Sequence, residues 1–91
     1  MTIFVKDPDA VLDYGFDWSD WLDSGAGEAI SDYTIDADTG ITVDSDSESS
    51  GVITVWLSGG TAGSTYAVRC EIETDDGRID ERTMIIKVQE R

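Results

Sequence analysis

The sequence of 91 residues contains no histidine, one cysteine, one proline and only six basic side chains. Without an imidazole, the serine–histidine and cysteine–histidine pairs that activate a nucleophile are excluded. A zinc site, which draws on thiolate and imidazole ligands, is disfavoured for the same reason. The lone Cys70 cannot form a disulfide within the chain, which fits folding in a reducing cytosol. No stretch approaches the roughly 20 apolar residues of a membrane helix. The opening Met1-Thr2-Ile3-Phe4-Val5-Lys6 lacks a basic leader and a long apolar run, so no secretory signal is expected. So few bases also argue against nucleic acid and anionic membranes as partners, since both would repel this chain.

What the chain has in abundance is acid: 20 Asp and Glu, for a net charge of −14. The excess is one-sided. Residues 1–50 hold 13 acids and Lys6 as their one base, whereas residues 51–91 hold seven acids and five bases. Charge of this size keeps a concentrated protein soluble, and a nearly pure anionic half suits a basic partner. With 40% hydrophobic residues, including three Trp, three Tyr and two Phe, there is enough apolar surface for one modest core. One domain over residues 1–91 is expected.

Period-2 alternation, the mark of strands with one buried face, runs through most of the chain. It is strongest in residues 64–88. Tyr66, Val68, Cys70 and Ile72 alternate with Ala67, Arg69, Glu71 and Glu73, and Asp75-Asp76-Gly77 offers a turn. The returning segment puts Met84, Ile86 and Val88 on one face and Thr83, Ile85 and Lys87 on the other. Upstream, Leu12, Tyr14, Phe16 and Trp18 alternate with Asp13, Gly15, Asp17 and Ser19, predicting a half-buried strand with an acidic outer face. Ser19 is placed to cap a single helical turn carrying Asp20, Trp21 and Leu22, before a loop over residues 23–27.

Residues 28–37 read as a strand whose parity breaks near Ser31-Asp32, predicting a bulge. Residues 2–5 suggest a short edge strand stopped ahead of Pro8, and residues 41–43 another short strand. Residues 44–50, wholly polar and small, read as a loop or frayed edge. In residues 52–57, Ile53, Val55 and Leu57 oppose Val52, Thr54 and Trp56. About seven short strands with almost no helix predict an all-β fold, an antiparallel Greek-key sandwich of immunoglobulin type. Tyr66 stands where such sandwiches hold a tyrosine corner. A small barrel is the alternative.

Few constellations suggest chemistry. Carboxylates are abundant, but no pair is singled out in an apolar cleft for acid–base work, so no enzymatic activity is expected. Asp36-Ala37-Asp38-Thr39-Gly40, followed by Asp44 and Asp46, begins like a calcium loop. The glycine nevertheless comes one position early, and Asp46 stands where a bidentate glutamate belongs. No metal and no cofactor are expected. Gly59-Gly60 precedes neither helix nor lysine and makes no phosphate cradle. Trp18 continues the inward stripe and belongs in the core. Trp21, on a turn among acids, is a candidate anchor for a partner, because tryptophan is enriched in interface hot spots.

Certain blocks carry a resemblance. Val5-Lys6-Asp7-Pro8-Asp9-Ala10-Val11-Leu12-Asp13-Tyr14 and Asp17-Trp18-Ser19-Asp20-Trp21-Leu22 open the chain. Gly40-Ile41-Thr42-Val43-Asp44, Thr54-Val55-Trp56-Leu57-Ser58-Gly59-Gly60 and Gly77-Arg78-Ile79-Asp80-Glu81-Arg82-Thr83 follow. Together they resemble small structural proteins of tailed bacteriophages, of the fiber-tail adaptor type. The resemblance implies an immunoglobulin-like virion component, made in the host cytoplasm, that joins other virion proteins without catalysing a reaction. Such components work as multiple copies in symmetric assemblies. A capsid decoration protein, or a carbohydrate-binding or adhesin-type β-sandwich, is the alternative. Combined with the charge, this points to a partner with a basic surface. It would be met by Asp13, Asp17, Asp20, Trp21 and Asp23.

Overall fold

A computed structural model of the chain describes residues 2–22 and 27–90. It contains seven strands: β1 (Thr2–Lys6), β2 (Leu12–Asp17), β3 (Ile30–Ala37), β4 (Ile41–Ser49), β5 (Val52–Gly59), β6 (Thr65–Thr74) and β7 (Ile79–Val88). No helix occurs among the described residues. The strands form two sheets, ordered β1-β7-β6-β3 and β2-β5-β4.

Alternation decides what each sheet buries. Tyr66, Val68, Cys70, Ile72, Met84, Ile86 and Val88 face inward from the four-stranded sheet. Tyr14, Phe16, Ile53, Val55 and Leu57 meet them from the other, joined by Trp18 just beyond β2. The β6–β7 hairpin pairs Tyr66 with Ile86 and Val68 with Met84, and Gly77 takes positive φ in its turn. The register of β3 against β6 shifts between Ile30 and Asp32, where the sequence parity breaks.

The pairing is not antiparallel throughout, as the alternation had suggested. β1 runs parallel to β7, with Phe4 opposite Ile86. A parallel pair needs a long connection rather than a tight turn, and the whole chain between these strands supplies it. Of residues 44–50, expected as a loop or a frayed edge, all but Ser50 form the paired second half of an edge strand. β4 continues to Ser49 and pairs with β5 from Ile41↔Gly59 to Ser49↔Val52, shifting register once between Val43 and Ser45. Composition misleads here because β4 is an edge strand whose far half lies in solvent, so backbone pairing and not side-chain burial holds it. A two-residue turn with Ser50 at φ 50° and Gly51 at φ 85° fixes that pairing.

Two devices close one end of the sandwich, where Gly59, Gly60 and Val88 come together. The Tyr66 hydroxyl accepts the Thr61 N–H at 2.9 Å, which holds its pKa below the usual phenol value. Its ring is pinched by two glycines at positive φ. A Cβ on Gly40 would lie 2.8 Å from Tyr66 Cε1, and one on Gly60 would lie 2.6 Å from Val88 Cγ2. Lys6 is fully buried, and its ammonium donates to Gly59 O at 2.8 Å and Asp7 O at 2.9 Å. It ties β1 of one sheet to the end of β5 in the other.

Candidate functional site

Asp17 ends β2 and starts the turn that the sequence marks out. Its Oδ1 accepts the Ser19 hydroxyl at 2.6 Å and the Ser19 N–H at 2.9 Å, which holds the carboxyl below its ordinary range. The cap is therefore Asp17, and Ser19 is its donor rather than the acceptor expected. The turn closes on Trp18 O, which accepts from Trp21 N at 2.9 Å and Leu22 N at 3.0 Å, without growing into a helix. Trp18 enters the core. Trp21 is half-buried and meets Trp18 edge-on, ring centroids 5.4 Å apart and planes at 75°.

Two arginines from the β6–β7 hairpin reach over this turn. Arg78 lies 4.0 Å above the Trp21 ring, donates to Trp21 O at 3.2 Å and pairs with the carboxylate of Glu28. Glu28 is itself buried and also accepts the Thr74 hydroxyl at 2.7 Å. Arg82 lies 4.2 Å above the Trp18 ring and donates to Asp17 O at 2.6 Å. The result is a clasp of two arginine–tryptophan stacks set at a steep angle to each other, each worth about 0.5–2 kcal/mol depending on desolvation. It joins segments 17–22 and 77–83, which are distant in sequence, across the open end of the sandwich.

Of the residues expected to meet a partner, Asp13, Asp17 and Asp20 are exposed and Trp21 is held inside the clasp. Asp23 lies outside the described residues. Asp13 and Asp17 share the outer face of β2, while Asp20 belongs to the turn beyond it. The four carboxylates of the calcium-like segments are dispersed. Asp36 and Asp38 bind Arg69 at 2.9 and 3.0 Å, Asp44 accepts from Ser58 Oγ at 3.0 Å, and Asp46 accepts from the Tyr33 hydroxyl at 2.7 Å. Among the described residues no cluster of Cys, Asp and Glu is arranged to hold a metal ion. Cys70 is buried, and burial pushes its thiol up to about 11 despite a small opposing pull from the Trp18 indole. A thiol so placed is chemically inert.

Sequence reasoning missed Lys6, Glu28, Arg78 and Arg82, whose partners are mostly far away along the chain. Trp56, which parity placed outward, had a role in that reasoning only as one of the aromatics a carbohydrate site would need. Trp56 is 43% exposed and Val11, ahead of β2, is 55% exposed. The charge asymmetry becomes spatial in the fold. No base occurs from Asp7 to Val68, so β2, β4 and β5 carry none, while β1, β6 and β7 carry Lys6, Arg69, Arg82 and Lys87, and Arg78 stands in the turn ahead of β7.

Fold and site together define a small all-β domain, built from two sheets around one core, with a polarised surface and a clasped end. The chain belongs to the Gp77 family, described as podophage GP4 fiber-tail adaptor protein gp77, whose model matches residues 6–87. That span runs from the last residue of β1 almost to the end of β7. A comparison with curated proteins gives no match. Membership makes the chain a structural component of the phage virion, working against other virion proteins.

Proposed function

We propose that this protein is a non-enzymatic adaptor joining the phage tail to its fibers, built as an immunoglobulin-like Greek-key sandwich. The observation that carries the adaptor role is the family match over residues 6–87, which takes in the clasp, strands β2 to β6 and nearly all of β7. The Greek-key reading is supported by the strand order, in which β5 pairs with β2 and β6 with β3. It is supported also by the Tyr66–Thr61 bond at 2.9 Å, the tyrosine-corner contact of such sandwiches. The surface chemistry favours recognition over catalysis: carboxylates stand dispersed on outer faces, and the thiol is sealed in the core.

An adaptor must stay soluble alone and bind firmly once placed. A charge of −14 serves the first need through self-repulsion. A basic partner, met by Asp13, Asp17 and Asp20 and present in several symmetric copies, serves the second. A carbohydrate-binding module would want several exposed aromatics on one face, whereas of the three tryptophans Trp18 is buried, Trp21 is half-buried and Trp56 alone is exposed. The test is to make particles that lack this protein and image them beside wild-type particles by cryo-electron microscopy. Tails without fibers, restored when purified protein is added, are expected. Fibered tails with altered capsids would overturn the reading in favour of capsid decoration.

A further inference from the structure

The outer face of the β2-β5-β4 sheet turns away from the core and from the other sheet. β5 lies at its centre and turns Val52, Thr54, Trp56 and Ser58 outward, opposite to its buried Ile53, Val55 and Leu57. Register sets Trp56 between Asp13 of β2 and Ser45 of β4. Around them lie Gly15, Ser47 and Thr54, so the indole stands above a flat floor of short side chains. A tryptophan in the middle strand of a sheet is ordinarily well buried. This one is 43% exposed, and Val11, in line with Asp13, is 55% exposed.

The charged groups of this face are carboxylates. Asp13 and Asp17 project from β2, and Asp44 in the β4 bulge accepts from Ser58 Oγ at 3.0 Å. No lysine or arginine exists within these three strands to balance them. We propose that this face docks another virion protein, one presenting arginine or lysine side chains around an apolar contact, with Trp56 as the anchor. The proposal rests on the adaptor reading above and names the surface and chemistry it uses. An arginine laid on the indole gains a cation–π contact while its neighbours meet Asp13 and Asp44. The tryptophan supplies affinity, and the carboxylates steer the encounter and reject wrong partners. A second copy of this chain is a poor occupant, because the same face on it carries the same sign of charge.

The experiment measures sedimentation of purified protein with particles assembled without it, across a range of salt concentrations. Wild-type protein binds, with affinity falling as salt rises. Trp56→Ala weakens binding about tenfold or more, the loss of one hot-spot side chain, while its thermal midpoint stays close to wild type. Asp13→Asn and Asp44→Asn, which leave the indole in place, weaken binding and flatten the salt dependence. Ile79→Ser, at an exposed position on the opposite sheet, binds as wild type. Normal binding and an unchanged salt slope for Trp56→Ala and both Asp variants overturn this face and leave the adaptor reading standing. Failure of the wild-type protein to bind overturns both. Displacement by oligosaccharide but not by salt overturns the proposal in favour of a glycan ligand.

Discussion

At the scale of single residues, two charged side chains that enter the interior, Lys6 and Glu28, each find a partner there. Lys6 meets two carbonyls, while Glu28 meets Thr74 and Arg78, so neither is buried without compensation. Tyr33 of β3 reaches across to Asp46 of β4, linking the sheets at 2.7 Å and raising the phenol from 10.0 to about 12. A raised folded value means that the protonated phenol is held more tightly in the fold than in the unfolded chain. Its stabilising contribution is therefore complete below pH 10 and is lost as pH rises towards 12. Ultraviolet titration should show one late tyrosine, and Asp46→Asn should return it to the ordinary range. Cys70, pushed up to about 11 by burial, should resist thiol reagents in the native protein and react at once in denaturant.

At the scale of elements, the clasp is what holds the turn after β2 against the β6–β7 hairpin. Arg78→Ala leaves the buried Glu28 carboxylate with less compensation and removes the lid on Trp21. Because Arg78 is itself half-exposed, the cost should be moderate, about 1–3 kcal/mol in chemical denaturation. Lys87→Ala, on the outer face of β7, should be nearly neutral, and Val68→Ala should cost about 1–3 kcal/mol through its cavity. Trp21→Ala should destabilise the domain, since that ring packs on Trp18 and under Arg78. Any assembly defect of that variant has to be compared with Arg78→Ala, which perturbs the same clasp. The acidic, serine-rich half of β4 guards a sheet edge, because an exposed edge without charge invites pairing with other chains.

At the scale of the whole molecule, the fold gathers bases into one sheet and leaves the other anionic. Self-repulsion within the −14 charge should make the protein more stable as salt rises. Magnesium and calcium at equal ionic strength should raise the melting temperature alike, because Asp36 and Asp38 are held together on Arg69, Asp44 by Ser58 and Asp46 by Tyr33. A shift confined to calcium would promote these four to ligands. Replacing Asp13, Asp17 and Asp20 with asparagine should slow assembly onto particles and reduce its dependence on salt. Normal assembly of that triple variant would remove the anionic face from the mechanism.

Alternation determined most of the strands and their buried faces, because period 2 is a local property that burial on one side imposes. Tyr66, Val68, Cys70, Met84 and Ile86 could be assigned inward from their spacing, as could the bulge at Ser31-Asp32 from broken parity. The anionic first half was equally plain, since charge is a sum over residues. What spacing does not encode is which distant segments meet. The parallel pairing of β1 with β7, the extension of β4 through residues without apolar side chains, and the buried Lys6 all arise from backbone and long-range partners. The clasp is the clearest case. Trp18, Trp21, Arg78 and Arg82 stand in blocks that sequence reading singled out separately, yet only the fold brings each arginine over its ring. A cation–π contact acts over a few ångströms in space and leaves no periodic trace along the chain.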